Sequence, residues 1–167
     1  GKAFADALRV NAVLTDLNLS SNQLCGLWNE FDGEKTVTRG SYDASGINAL
    51  ASALAGSKVL TNLDLGSNEL DAEAGKAFAD ALRVNMVLKS LSVAHNSNII
   101  GEAAQMLAAA ALESRLEVLS EVPIKELRED KRTELNLRMK GLGPTEGIVL
   151  AELVKGSAVL KKLVLDS

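Results

Sequence analysis

The chain has 167 residues, of which 47% are hydrophobic but only 3% aromatic, so one unit with a core of Leu, Ala, Val and Ile is expected. Its net charge of −4, with acids and bases interspersed, offers no basic stripe and excludes nucleic acid as the expected partner. The single cysteine, Cys25, excludes an internal disulfide and favours an intracellular, cytoplasmic protein. The longest apolar run, Ala103 to Leu112, is too short for a membrane span.

Two segments of the chain are nearly identical. Residues 1–14 and 75–88 match at thirteen of fourteen positions, and Met86 replaces Ala12 at the remaining one. Each copy carries an apolar stripe with helical spacing, in which Phe78 and Leu82 are one turn apart and small alanines lie beside them. The match indicates duplication, and the stripe predicts a helix that starts at Gly75 in the second copy.

A second pattern, LxxLxLxxNxL, follows each predicted helix. It begins at Leu14, Leu60 and Leu88, and weaker versions surround Leu135 and Leu163, which are 28 residues apart. Both leucines of LxL point to the same side of a strand, so they are expected in the core, with the residue between them exposed. The asparagines of the pattern can pair with free backbone groups in the turn that leaves the strand. We therefore expect a structural role for Asn22, Asn68 and Asn96.

This pattern resembles the ribonuclease-inhibitor-like class of leucine-rich repeats over nearly the whole chain, and also the repeat region of nucleotide-binding immune-type receptors. The resemblance implies an α/β solenoid shaped as a horseshoe arc, with short parallel strands on the concave face and helices on the convex face. About five to six repeats would form a single domain, residues 1–167. Since no polar capping repeat stands at either end, we expect a fragment of a longer solenoid with flanking repeats.

Two insertions interrupt the 28-residue period. Residues 25–45 contain the turn dipeptide Asp32–Gly33 between segments rich in aromatic and β-branched residues, which predicts a projecting hairpin. Residues 113–132 are irregular, and their partial LxxLxLxxL pattern predicts a short strand at 122–124.

Two surfaces are candidates for partner binding. The aromatic side chains of the first insertion, which are Trp28, Phe31 and Tyr42, suit interface anchors, although they could equally pack onto the solenoid edge and hold the insertion in place. The exposed strand positions of the concave face form the second candidate. They are small or polar and include Asn18, Asp64, Ser92, Asn136 and Arg138.

The residues that carry chemistry elsewhere form no catalytic or ligand-binding pattern in this sequence. His95 has no second ligand at metal-binding spacing, and the Gly141–Gly147 segment lacks the lysine of a phosphate loop. We therefore predict no cofactor, no metal and no enzymatic activity. The expected function is a protein–protein interaction or scaffold module, which could also be a structural subunit of a larger assembly. The alternative, implied by the family resemblance, is a regulator of an enzyme, either GTPase-activator-like or sensor-type.

Overall fold

Helices and strands alternate along residues 2–31 and 33–165, which are the residues that the computed structural model describes, apart from the side chains at positions 28, 29 and 38. The helices are α1 Lys2–Val10, α2 Ser45–Gly56, α3 Ala72–Val84, α4 Gly101–Glu113, α5 Ile124–Arg128 and α6 Pro144–Gly156. The strands are β1 Asp16–Asn18, β2 Leu27–Phe31, β3 Thr36–Gly40, β4 Asn62–Asp64, β5 Ser90–Ser92, β6 Val118–Leu119, β7 Glu134–Asn136 and β8 Lys162–Val164.

The LxL strands pair in parallel, as the repeat period predicts. One sheet has the order β1-β4-β5-β6, with Leu17 opposite Leu63 and Leu63 opposite Leu91. A second sheet pairs β7 with β8 and sets Leu135 opposite Leu163. Equivalent leucines therefore stack from repeat to repeat, and the α/β solenoid predicted from the sequence is confirmed.

Small residues bring the helices close to one another. Gly75 of α3 lies so near the next repeat that a Cβ atom there would be 2.8 Å from Ile99 Cγ2. Helix α4 contributes a row of buried alanines, and Phe78 is the large aromatic side chain fully buried between the repeats. Burial of each leucine contributes about 1.5–3 kcal/mol to the free energy of unfolding, and these contributions are distributed along the stack of repeats.

Asparagine side chains join successive repeats. Asn68 is fully buried, and its Oδ1 accepts hydrogen bonds from the backbone amides of Asn22 and Leu24 in the preceding repeat, at 3.0 and 3.2 Å. Its Nδ2 donates to the carbonyls of Leu19, Leu65 and Gly66. Asn96 repeats this arrangement one unit later and accepts from the amides of Asn68 and Leu70. The polar groups of each turn are thus satisfied only when two repeats are stacked.

Two boundaries predicted from the sequence were wrong. Helix α3 starts at Ala72 rather than Gly75, because Asp71 Oδ1 accepts from the amides of Glu73 and Ala74 and caps the helix. The strand predicted at 122–124 lies instead at Val118–Leu119, and residues 124–128 form helix α5.

The second error has a local backbone cause. Ser120 and Glu121 both adopt positive φ, at 44° and 73°, and they turn the chain so that Val122 N–H donates back to Leu119 O. The pairing of Leu119 with Val122 is one isolated antiparallel bridge. Pro123 has no amide proton, and its carbonyl accepts from Leu127 N–H at the start of α5.

Candidate interaction surfaces

The concave face is polar where β1, β4 and β5 are paired. Their outward positions are exposed or half-buried, and Asn62 Nδ2 donates to Asp16 Oδ2 across the sheet at 2.9 Å. Asn18, Asp64 and Ser92, which the sequence analysis selected, occupy the last position of these three strands. They therefore form one row across the sheet, about 4.7–4.9 Å apart from strand to strand.

Three of the selected concave residues also stabilise their own turns. The Oδ1 atoms of Asn18, Asp64 and Asn136 accept from the amides of Ser20, Gly66 and Arg138, two residues further along, at 2.8, 2.9 and 3.1 Å. This Asx-type turn explains why Asn or Asp occurs at that position. Asn18 and Asn136 are exposed and Asp64 is half-buried, so these three residues combine a structural role with an accessible surface.

The first insertion is an antiparallel hairpin. Leu27 of β2 pairs with Gly40 of β3, and Phe31 pairs with Thr36 near the tip. Phe31 is largely exposed, whereas Tyr42 is half-buried and packs against the core. The side chain of Trp28 and the turn residue Asp32 lie outside the described residues. The structure thus separates the candidates, since Phe31 faces solvent and Tyr42 anchors the base of the hairpin.

Tyr42 lies beside Cys25 at that base. Burial raises the pKa of Tyr42, and nearby Asp71 acts in the same direction. The Tyr42 hydroxyl oxygen is buried without a hydrogen-bond partner of good geometry among the described residues. Burial also raises the pKa of the Cys25 thiol, so this buried cysteine is held in its protonated, unreactive form.

The sheet is interrupted between β6 and β7. Only 16 residues separate the starts of these strands, and α5 has five residues, so helix α6 packs against α4 as well as α5. His95 N–H donates to Gly141 O at 2.9 Å, which links the turns after β5 and β7 past the short repeat. His95 is exposed with a φ of 57°, as suits a turn residue. A cleft of about 460 Å³ opens here, and Asn136 lines it together with Glu121, Pro123, Arg132 and Lys140.

A larger groove lies along the loops that enter β4, β5 and β6. It has a volume of about 720 Å³ and is lined by corresponding loops of three successive repeats. Its apolar lining consists of Val59, Met86, Val87 and Leu116, and the Met86 side chain is exposed. Sequence reasoning missed this groove, although one signal pointed to it: Met86 is the position at which the duplicated segments differ. We call it the edge groove.

The edge groove is positively charged on a chain whose net charge is −4. Its lining has five basic residues, Lys58, Lys89, Arg115, Lys125 and Arg128, and two acidic ones, Glu117 and Glu129. Lys89 and Lys125 approach Glu117 at 3.5 and 3.4 Å, and Lys125 lowers the pKa of that carboxyl. Within the described part of the chain, Lys58 and Arg115 form no ion pair, so their charge is open to a ligand.

The described residues contain no group of three or more His, Cys, Asp or Glu side chains placed to hold a metal ion. None of the described helices has the length and apolar character required to cross a membrane.

Comparisons with known proteins agree with this architecture. A family model described as leucine-rich repeat matches residues 10–24 and 56–79. A solved structure of leiomodin-1 actin-binding site 2 is similar over 98% of this chain and 77% of its own, at 19% identity and a TM-score of 0.58. The tropomodulin C-terminal domain from Caenorhabditis elegans covers 99% of this chain and 81% of its own, at 11% identity and a TM-score of 0.57. No curated protein matches the sequence.

The matched segments coincide with the features already described. They span β1 with its turn and the unit from the end of α2 into α3, which carry the first two LxL strands, β1 and β4, and Asn68, which joins their turns. With its parallel strands alternating with helices at a 28-residue period, this chain has the fold of a leucine-rich repeat solenoid.

Proposed function

We propose that this chain is a protein-interaction module that binds an acidic segment of its partner in the edge groove. The observation that carries the proposal is the groove itself, in which an excess of basic side chains surrounds the exposed Met86 and the half-buried Val59 and Val87, on a chain whose net charge is negative. Complementary charge increases the rate of association and selects the partner, whereas apolar contact holds the complex together.

The repeat geometry suits an extended ligand. Thr61, Lys89 and Glu117 occupy the same position of three successive repeats, at the start of neighbouring strands, so they span about 10 Å along the groove. Met86 lies among them, and its flexible thioether side chain adapts to apolar groups of different shape. Lys58 lies in the repeat before that of Met86 and Arg115 in the repeat after it, so a positive charge lines the groove in each neighbouring repeat. A segment of a few residues with one apolar side chain between carboxylates fits this arrangement.

Filamentous actin is the first protein to test as partner. The similar leiomodin-1 structure is that of an actin-binding site. At 19% identity this similarity supports a shared fold only, so actin binding by this chain is part of our proposal. Binding is measured by co-sedimentation, with a photo-crosslinking residue at Met86 and, as the control, at Met139. Both side chains are exposed, but Met139 lies outside the edge groove. Crosslinking confined to position 86 is expected.

The chemistry of the groove is tested with a fluorescent peptide of glutamates around one leucine. Replacing both free cations, Lys58→Glu with Arg115→Glu, is expected to weaken its binding by more than about tenfold, with a reduced dependence on salt. Lys155→Glu with Lys161→Glu is the matched control, because both side chains are exposed, neither lines the groove and the charge change is the same. Equal binding of a lysine-based peptide, or an equal loss with the control variant, would exclude the groove as an acidic-segment site.

The hairpin remains a second proposed contact. Its support is the exposed Phe31 ring near the tip, next to the ion pair between Arg39 Nε and Glu30 Oε2 at 3.1 Å. Phe31→Ala removes the ring without disturbing the core, whereas Tyr42→Ala would remove an anchor of the hairpin. Loss of partner binding in Phe31→Ala, at an unchanged circular dichroism spectrum, is the expected result. Unchanged binding would restrict the interface to the solenoid.

A further inference from the structure

We infer that an extended, uncharged segment of a partner protein binds at the interruption between β6 and β7. There it adds one strand to the open edge of β7, which is formed by the backbone groups of Glu134 and Asn136. Strands of the solenoid lie on both sides of the interruption, so the site is inside the array of repeats. Its cleft of about 460 Å³ shares no lining residue with the edge groove and is independent of the partner proposed for that groove.

One edge of β7 is paired and the other is open. Leu137 N–H donates to Val164 O at 2.9 Å, so the backbone groups of this residue face β8. Backbone groups of successive residues in a strand point to opposite edges, so those of Glu134 and Asn136 face away from β8, towards β6. Neither has a backbone partner on that side within the described residues.

The corresponding groups of the intact repeats are paired. Asn62 and Ser90 begin β4 and β5, as Glu134 begins β7. Their amides donate to Thr15 O and Thr61 O of the preceding repeat, each at 3.0 Å. Both residues are half-buried, whereas Glu134 is exposed. Strand β7 therefore has the backbone donors and acceptors of an internal strand without the neighbour that such a strand pairs with.

Strand β6 does not supply that neighbour, because the chain after it folds back and closes its outer edge. Leu119 N–H donates to Val122 O at 3.0 Å, and Val122 N–H donates to Leu119 O at 2.8 Å. The next residue, Pro123, has no amide proton to donate, and it lines the cleft together with Glu121 and the residues of β7. One side of the cleft is thus closed and the other is open, which suits a single added strand.

The open edge determines the kind of ligand. An unpaired edge presents N–H and C=O groups at a regular spacing, and the backbone of another extended chain presents the complementary pattern. Strand β7 has three residues, which extend over about 10 Å at about 3.3 Å per residue. The ligand that fits is therefore a short extended segment of a protein.

Charge favours an uncharged segment. Each cation that lines the cleft has a carboxylate partner, and the pairs are Lys140 with Glu121, Lys162 with Glu134, and Arg132 with Glu126. A charged ligand would compete with these pairs, whereas an uncharged one leaves them intact. Threonine and valine suit such a segment, because β-branched residues favour extended backbone.

Hydrogen exchange of the free chain, followed residue by residue by NMR, tests the open edge itself. The amides of Asn136 and Leu137 belong to the same strand region, but only that of Leu137 donates to β8. We expect the Asn136 amide to exchange more than about tenfold faster than the Leu137 amide. Equal protection of the two amides would show that the edge is already paired and would overturn the inference.

Two seven-residue peptides of threonine and valine, each with three N-methyl groups, test binding to that edge. Methyl groups on alternate residues leave one edge of the peptide free, so this peptide should shift the amide signals of Glu134 and Asn136. Methyl groups on three consecutive central residues block both edges, and binding should be weaker by more than about tenfold. Equal binding of the two peptides, or no shift at β7, would refute strand addition.

A proline at the first position of β7 tests the site in the protein. Glu134→Pro removes an amide of the open edge and should weaken binding of the alternately methylated peptide by more than about tenfold. Glu134→Thr is the matched control, since it removes the same carboxylate but keeps the amide, and it should bind like the unmodified chain. If Glu134→Pro changes the circular dichroism spectrum, the comparison of the two peptides decides alone.

Two further outcomes would contradict the assigned ligand. Tighter binding of the same peptide with glutamate or lysine in place of threonine would show that the cleft selects charge. Shifts at Glu134 and Asn136 that grow with protein concentration in the absence of peptide would identify a second copy of this chain as the occupant. Either result would overturn the assignment to an uncharged segment of a partner.

Discussion

Replacing Asn68 by alanine removes the side chain that joins the first two turns of the solenoid. The five hydrogen bonds of its amide group involve two backbone amides of the preceding turn and three carbonyls. At about 1 kcal/mol net for each bond, their loss would cost about 5 kcal/mol. Water entering the truncated site restores part of this, so we expect the free energy of unfolding to fall by about 3 kcal/mol.

Urea unfolding followed by far-ultraviolet circular dichroism measures this loss, and thermal unfolding should show a midpoint lower by roughly 6–12 °C. Asn22→Ala is the matched control. Asn22 holds the same position of the repeat but is exposed, and its Nδ2 donates only to Ser20 O among the described residues. Asn22→Ala should lower the free energy of unfolding by less than about 1 kcal/mol. Equal losses in the two variants would refute the view that burial and contact with the preceding repeat make this asparagine important.

Three further outcomes are expected. Gly141→Ala should lower the free energy of unfolding, measured in urea, by more than about 1–2 kcal/mol, because φ is +63° and the new Cβ would lie 2.1 Å from His95 Cε1. Gly147→Ala is the control and should be neutral or stabilising, because Gly147 lies in a helix and a Cβ there would meet nothing within 4 Å. Tyr42→Phe should reduce the loss of stability above about pH 10, because the raised pKa of Tyr42 lets the unfolded state lose its proton first, and an unchanged alkaline profile would contradict this. Cys25 should react with iodoacetamide only after unfolding, as mass spectrometry would show, and fast labelling of the native chain would contradict the burial of its protonated thiol.

The repeat architecture could be predicted because the pattern is dictated by stacking. Leu63, Leu91 and Leu135 enter the core at the positions that the LxL spacing indicates, and the 28-residue period sets the strand register. Pro144 begins α6 at the first helical position, where its missing amide proton costs no hydrogen bond. These features depend on residues close together in sequence, or on a period that the sequence repeats, and both are visible without coordinates.

The errors arose where backbone conformation or distant contacts decide the outcome. Nothing in the side chains of Ser120 and Glu121 requires positive φ, and that turn is what ended the strand before Val122. The edge groove was missed because Lys58, Met86 and Arg115 are spread over three repeats and meet only after stacking. For Asn18 and Asp64 the sequence predicted only one of two roles. Their outward position follows from strand alternation, whereas their hydrogen bonds to the turn amides were not predicted.

The short repeat that separates β6 from β7 has a consequence for how the molecule unfolds. In a solenoid, each repeat is stabilised mainly by its interface with the neighbouring repeats, so a weak interface divides the chain into blocks that unfold separately. Here β1, β4, β5 and β6 share one continuous set of backbone hydrogen bonds, whereas β7 and β8 are attached through helix packing, the His95–Gly141 link, the hydrogen bonds of Ser157 and Ala158 to Asp130, and the Lys140–Glu121 ion pair. We therefore expect residues 134–165 to open as a block while the larger block stays folded.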